Sequence, residues 1–198
     1  MALLLYVSHP EVAIDPAIPV PDWGLSARGR ERASAFASHP LLASAGRIVA
    51  SRENKAIETA EILAAPHGLA IEIRDDLHEN DRSATGFLPP DAFEATANRF
   101  FAEPETSIRG WERAIDAQRR IVGAVTAILA EQPGVETTVM VGHGGVGTLL
   151  LCHAGGFAID RRHDQAGGGG NVLVIATDPL RLMAPWTRME ELGTALPA

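Results

Sequence analysis

Cysteine is almost missing from this sequence of 198 residues, in which Cys152 is the only example. A single thiol cannot form a disulfide framework, and it cannot supply a metal cluster built from several cysteines. Cys152 also lies in an apolar, helical pattern. We therefore expect a buried, unreactive thiol rather than a redox or catalytic group.

Clusters of basic residues are missing as well. The formal net charge is -8 at pH 7, and the lysine and arginine residues form no dense cluster. Because nucleic acids and anionic membranes are bound through dense positive charge, the sequence predicts neither nucleic acid nor a membrane as a partner. An acidic chain that binds a phosphate group must do so with a few local cations.

The features of a signal peptide are also missing, since the amino terminus has no positively charged segment and no small-residue cleavage site. The first apolar run is too short to span a membrane, and it ends at Ser8 and His9. A cytoplasmic location is therefore expected. With 46% hydrophobic residues the chain can bury one sizeable core, so we expect a single domain over residues 1–198.

The most informative segments that are present are two apolar runs, each ending in a histidine. Ala2 to Val7 leads into Ser8-His9-Pro10, and Thr137 to Val141 leads into Gly142-His143-Gly144-Gly145. Short apolar runs bounded by glycine or proline are typical of buried parallel strands. Open α/β sheets place their chemistry at the carboxyl ends of strands, so His9 and His143 are the first candidates for functional residues.

The rest of the chain alternates between short apolar runs and helical patterns. Further strands are expected at residues 47–51, 69–73 and 171–176, and helices are expected to start after Ser26 and to cover about 55–63, 111–131 and 146–153. This alternation predicts an α/β fold, a three-layer α/β/α sandwich around a mostly parallel central sheet. Residues 86–109 are predicted to form a small helical insertion over the sheet edge, since they are too few to own a core.

Five segments, in this order, resemble the motifs of the histidine phosphatase superfamily, the phosphoglycerate mutase-like proteins. The first is Val7-Ser8-His9-Pro10, at the place where that family has Arg-His-Gly after its first strand. The others are Leu25 to Ala33, Ser51 to Glu61, Leu77-His78-Glu79 and Val141 to Gly145. The resemblance covers most of the chain and implies a phosphoglycerate mutase-like fold.

The resemblance also implies a role for each matched side chain. His9 would accept the phosphoryl group, and Glu79 would protonate the leaving oxygen and later activate water. His143 and Lys55, with Ser8 as a neutral donor, would bind the phosphoryl oxygens. The implied protein is a histidine acid phosphatase-type phosphomonoesterase that takes a small phosphorylated substrate and needs no metal or cofactor. The oligomeric state stays open, with a homodimer as one option.

The chain departs from the family pattern at the phosphate site. Ser8 replaces an arginine, Pro10 replaces a glycine, and Lys55 stands where the family has a second arginine. Loss of one guanidinium contact to a phosphate costs about 1.5–3 kcal/mol, which weakens activity without abolishing it. Five arginines are candidates for a replacement cation: Arg28, Arg52, Arg82, Arg161 and Arg162.

Two alternative functions follow from the same motifs. A degenerate member of the family would bind a phosphorylated ligand or a partner protein without turnover, and the changes at Ser8 and Lys55 favour this alternative. A phosphoglycerate mutase would need a fuller basic pocket than this chain offers, so we rank it third. The insertion at 86–109 would line the side of the leaving group, but its sequence does not specify a substrate.

Overall fold

The computed structural model describes residues 2–194 as a six-stranded sheet with helices on both faces. The strands are β1 (Leu3–Ser8), β2 (Ala45–Ser51), β3 (Ile71–Arg74), β4 (Thr137–Gly142), β5 (Asn171–Thr177) and β6 (Leu180–Arg188). The helices are α1 (Ala27–Phe36), α2 (Asn54–Ala64), α3 (Pro90–Ala102), α4 (Ala114–Glu131) and α5 (Gly144–Ala154). The predicted α/β fold is confirmed.

The sheet has the strand order β3-β2-β4-β1-β5-β6. The pairs β1–β4, β2–β4 and β2–β3 are parallel, whereas β5 runs antiparallel to both β1 and β6. The sheet is therefore mixed but mostly parallel. Strand β6 was not predicted, because it is an edge strand that contains Pro185 and has no continuous apolar run. Proline is tolerated there because one side of an edge strand needs no backbone donor.

Two apolar cores lie on the two faces of the sheet, and the alternation of side chains along β1 divides its residues between them. Leu4 and Tyr6 belong to the core beneath α4 and α5. Leu3, Leu5 and Val7 belong to the core beneath α1 and α2. Because β1 is covered on both faces, all six of its residues are buried, as its uninterrupted apolar sequence predicts.

The segment at 86–109 forms α3 and its flanking loops beside the first of these cores. Phe100 and Phe101 are buried in that core, and Phe93 packs against it. Trp111, just after the segment, meets the rings of Phe93 and Phe100 at centroid distances of 6.0 and 6.1 Å. These aromatic contacts fix the segment to the body of the fold next to the carboxyl edge of the sheet.

The four helices predicted from the sequence begin within three residues of their expected starts. The Ser26 side chain accepts a hydrogen bond from the Gly29 N–H at 3.0 Å, so Ser26 is the N-cap of α1 as expected. Helix α4 starts at Ala114, three residues later than predicted, while α5 starts at Gly144, two residues earlier. No helix within residues 2–194 combines the length and the apolar character needed to cross a membrane.

Candidate active site

The carboxyl ends of β1 and β4 bring two histidines together. The two strands are parallel neighbours, with Ser8 paired to Gly142, so the residues that follow them emerge side by side. The ring centroids of His9 and His143 are 5.3 Å apart and the rings are nearly perpendicular, at 69°. The edge of the sheet thus presents an imidazole pair, and His9 lines a cavity of about 510 Å³ beside it.

The His9 ring is oriented by its own backbone. Its Nδ1 lies 2.9 Å from the carbonyl oxygen of Pro10, so Nδ1 carries the hydrogen and donates it to that oxygen. The other ring nitrogen, Nε2, then keeps its lone pair. Burial, followed by the effect of the neighbouring His143 and Lys55, lowers the pKa of His9 from 6.5 to about 3. The ring is therefore neutral at neutral pH, as a nucleophile must be.

His143 is only 1% exposed and is held at both its backbone and its ring. Its N–H donates to the Tyr6 hydroxyl at 3.1 Å. Its Nε2 is 2.9 Å from the Ser51 hydroxyl oxygen and 3.3 Å from Glu53 Oε1. The other nitrogen, Nδ1, is buried without a hydrogen-bond partner among residues 2–194. Burial lowers the pKa of His143, although Glu53 and Glu79 act in the opposite direction.

Glu53, which was not predicted as a site residue, forms a buried ion pair with Lys55. Lys55 is the only lysine of the chain and is 3% exposed, and Glu53 is 7% exposed. The Lys55 Nζ lies 2.5 Å from Glu53 Oε2 and 2.8 Å from the carbonyl oxygen of Val20. Lys55 does not line the cavity, because its ammonium group is turned to Glu53 and to the Val20 carbonyl. The sequence did contain a clue to Glu53. Lys55 lies on the buried face of α2, and a buried lysine needs a carboxylate partner.

Glu79 lies with its carboxylate at the amino end of α5. The oxygens accept hydrogen bonds from the N–H groups of Gly145 at 3.1 Å and Val146 at 3.0 Å, and from Asn80 N–H at 3.0 Å. Helix N-termini favour such an anion. Burial raises the pKa of Glu79, but the nearby Arg82 and His143 and the hydrogen bond from Asn80 N–H outweigh it, so the net pKa is lowered. The free protein therefore holds Glu79 ionised.

Ser8 is fully buried and its side chain points to β5 rather than into the cavity. Its hydroxyl donates to Gln165 Oε1 at 2.5 Å and accepts from the N–H of Asn171 at 3.0 Å. Gln165 itself lines the cavity, and its amide lies so close to Gly144 that a β-carbon there would clash. Ser8 therefore acts on the site through the orientation of Gln165.

The two arginines selected from the sequence as phosphate ligands lie at the surface. The side chain of Arg28 is 79% exposed and lies 3.4 Å from Glu11. The side chain of Arg52 is 65% exposed and lies 3.9 Å from Asp75. Neither lines the cavity beside His9. The structure thus corrects their predicted placement, because both side chains extend into solvent, where carboxylates are their neighbours.

Two other candidates from the sequence, Arg82 and Arg161, do line the cavity. Arg161 is held by Glu94 at 2.7 Å and lies 3.6 Å from Asp164. Arg162 is outside the cavity, with a side chain that is 73% exposed and paired with Asp160. The structure therefore narrows the five candidate cations to two.

Two residues of the four-glycine run at 167–170, Gly169 and Gly170, pack directly against the backbone of His9. The N–H of Gly170 donates to the His9 carbonyl oxygen at 3.1 Å. Gly169 has a φ of 64°, and a β-carbon on it would lie 2.2 Å from the same oxygen. Only glycine meets both requirements without strain.

We expect Gly169→Ala to destabilise the protein by about 1–3 kcal/mol, because the methyl group must push the His9 backbone away in a left-handed conformation. Urea unfolding monitored by circular dichroism measures the change. Gly167→Ala is the matched control, since a β-carbon there meets no atom within 4 Å. Equal stability of the two variants would show that the loop yields without affecting His9.

Comparisons with known proteins place the chain among proteins with this fold. A model of the histidine phosphatase superfamily (branch 1) matches residues 16–181. The match contains Glu79 and His143 but begins after His9, so the assignment of His9 depends on the strand-end geometry. A search of curated proteins finds no match.

Three solved structures illustrate the structural similarity. A mycobacterial glucosyl-3-phosphoglycerate phosphatase with inorganic phosphate superposes with a TM-score of 0.79 at 20% identity, covering 96% of this chain and 99% of that one. Bacillus stearothermophilus YhfR gives 0.78 at 21%, covering 98% and 99%. A phosphoserine phosphatase from Entamoeba histolytica, in complex with 3-phosphoglyceric acid, gives 0.74 at 15%, covering 94% and 98%. At these identities the likeness establishes the shared fold.

Proposed function

The chain belongs to the histidine phosphatase superfamily, and we propose that it hydrolyses a phosphomonoester through a phosphohistidine on His9. The observation that carries this proposal is the 2.9 Å contact between His9 Nδ1 and the Pro10 carbonyl oxygen. Because that oxygen can only accept, we infer that Nδ1 carries the hydrogen and that Nε2 keeps the lone pair needed for attack. The low pKa of about 3 keeps that nitrogen unprotonated even in acidic solution. This supports the acid phosphatase-type assignment.

The first step transfers the phosphoryl group. The Nε2 lone pair of His9 attacks phosphorus in line as the bond to the leaving oxygen breaks, and that oxygen takes a proton from Glu79. The charged phosphoryl oxygens would then lie near His143, whose ring centroid is 5.3 Å from that of His9. A proton on the unpartnered Nδ1 of His143 would donate to one of these oxygens, with Glu53 at Nε2 stabilising the resulting imidazolium.

The second step releases phosphate. Water attacks phosphorus and gives its proton to the Glu79 carboxylate, while the bond between phosphorus and His9 Nε2 breaks and returns the electron pair to the ring. Glu79 ends this step protonated, and it returns to the ionised form of the free protein once the phosphate has left. The two steps together consume one water and produce one alcohol and one phosphate.

Because the pKa of Glu79 is lowered in the free protein, Glu79 must gain the proton that it gives to the leaving oxygen when the substrate binds. The free protein holds this carboxylate ionised, so it can act as a base at once but not as an acid. A phosphate dianion close to the carboxylate raises the Glu79 pKa by charge repulsion. Binding of the substrate therefore supports the proton uptake that the first step requires.

A second candidate function, binding of a phosphorylated ligand without turnover, has one specific observation in its favour. Lys55 is neutralised by Glu53, and Ser8 faces Gln165, so neither position offers a free cation to a phosphate. Incubation of the purified chain with p-nitrophenyl phosphate separates the two functions. Measurable release of p-nitrophenol supports the phosphatase, and its complete absence supports the binding protein.

We expect Glu79→Gln to slow hydrolysis of an alkyl phosphate roughly 10²–10⁴-fold, the usual contribution of a general acid or base. Hydrolysis of p-nitrophenyl phosphate should fall much less, because p-nitrophenolate leaves without a proton. Initial rates with both substrates measure the difference. Asp164→Asn is the control, since Asp164 is the other carboxylate in the cavity with an altered pKa, raised by burial. A larger selective loss in Asp164→Asn would move the acid role from Glu79 to Asp164.

A further inference from the structure

The proposed reaction brings a phosphate dianion into a site whose negative charges are not balanced by a free cation at Lys55 or at either histidine. A bound phosphate dianion would approach the ionised Glu79, and Glu53 lies behind His143. Lys55 offsets Glu53 and also bonds the Val20 carbonyl, so its charge is already compensated. Both histidines have lowered pKa values in the free protein. A phosphoryl group therefore needs another cation, and that cation must line the cavity.

Arg82 lines the cavity and forms no salt bridge within residues 2–194, although its charge helps to lower the pKa of Glu79. Its guanidinium carbon lies 5.3 Å from the ring centroid of Phe93 and 5.6 Å from that of Trp111. The indole N–H of Trp111 donates to the Thr85 hydroxyl at 2.8 Å, which fixes the ring. Aromatic faces hold a guanidinium in place without using its N–H donors. Arg82 is thus positioned but not neutralised.

Asn80 supplies a second observation in the same loop. The residue is 6% exposed and lines the same cavity, yet its side-chain Nδ2 has no hydrogen-bond partner in the described part of the chain. A buried amide donor without a partner is costly and rare in folded proteins. A ligand oxygen in the cavity would satisfy it. The Nδ1 of His143, beside His9, is the other buried side-chain nitrogen without a partner in the described part of the chain.

We propose that Arg82 and Asn80 Nδ2 bind the phosphoryl oxygens of the substrate and replace the guanidinium groups that the chain lacks at Ser8 and Lys55. This inference rests on the proposed function and identifies the anion-binding residues of that same site. The other arginine in the cavity is less suited, because Arg161 already pairs with Glu94. The cation that binds phosphate would thus lie in the loop that carries Glu79, and not at the end of β1 where the family has its arginine.

Isothermal titration of the full chain with orthovanadate and with inorganic phosphate tests the proposal without turnover. We expect Arg82→Gln to weaken binding of both anions by roughly 10–100-fold, the range for a lost hydrogen bond to a charged group. Arg82→Lys, which keeps the charge but loses the fork of donors, should fall between Arg82→Gln and the wild type. Arg161→Gln is the matched control and should change binding less than about threefold.

Unchanged affinity in Arg82→Gln would overturn the proposal, as would a larger loss in Arg161→Gln or no anion binding by the wild type. Asn80→Asp provides an independent test if Arg82→Gln does not fold, because it places a carboxylate at the proposed contact with little change in size. It should abolish measurable anion binding, and retained binding would also overturn the proposal. Wild-type anion binding that depends on Arg82, without turnover, would contradict only the proposed phosphatase function.

Discussion

His9→Ala is expected to abolish hydrolysis of p-nitrophenyl phosphate and to leave the protein without acid-labile phosphate. The reason is that Nε2 of His9 is the nucleophile in the proposed mechanism, and a methyl group offers no lone pair. Brief incubation with radiolabelled substrate, followed by rapid quenching in alkali, traps phosphohistidine in the wild type. Peptide mapping of the trapped label then identifies the residue.

The matched control is His153→Ala, because His153 is an exposed residue at the far end of α5. It should label and turn over like the wild type. Label that persists in His9→Ala would contradict the assignment and point to another nucleophile, with His143 the nearest imidazole. Far-ultraviolet circular dichroism checks that each variant is folded.

The same assignment predicts how labelling varies with pH. The pKa of His9 is lowered to about 3, so its neutral, nucleophilic form dominates above that value. The rate of labelling with limiting substrate should therefore not fall between pH 7 and pH 5 through protonation of His9. A loss of rate centred near the ordinary histidine pKa of about 6.5 would show that the ring is not shielded as the structure indicates.

Much of the fold could be predicted because its four inner strands, β1, β2, β4 and β5, are largely buried. An uninterrupted apolar run such as Leu3 to Val7 has few alternatives, and its end at Pro10 is marked in the sequence. Edge strand β6 has neither mark, since its residues are only partly buried and Pro185 interrupts them. Its pairing with β5 depends on a tertiary contact that local sequence does not encode.

The site was predictable where a residue follows a strand, but not where the direction of a side chain decides its role. His9 and His143 lie together because β1 and β4 are parallel neighbours. The motif match placed Lys55 at the phosphate, yet the side chain is turned to Glu53. The packing of Arg82 against Phe93 and Trp111 could not be predicted either, because both rings are far from it in sequence.

Glu53→Gln is expected to destabilise the protein by about 3–5 kcal/mol, the typical effect of removing one partner of a buried ion pair. Although burial opposes ionisation, His143 and Lys55 lower the pKa of Glu53 from 4.5 to about 2. A carboxylate with a lowered pKa stabilises the fold above its unfolded value and loses this contribution as the pH falls through the folded one. Urea unfolding of the wild type should thus show a steeper loss of stability between about pH 5 and pH 2 than Glu53→Gln shows.

The double variant Glu53→Gln with Lys55→Met separates the two roles of this carboxylate. Removing the ammonium together with the carboxylate leaves no unpaired charge, so stability should return most of the way to that of the wild type. Turnover of p-nitrophenyl phosphate should stay low, because His143 Nε2 would still lack the oxygen that lies 3.3 Å away in the wild type and favours the imidazolium. Recovery of both properties would show that Glu53 only neutralises Lys55. Recovery of stability alone would assign Glu53 to the positioning and charging of His143.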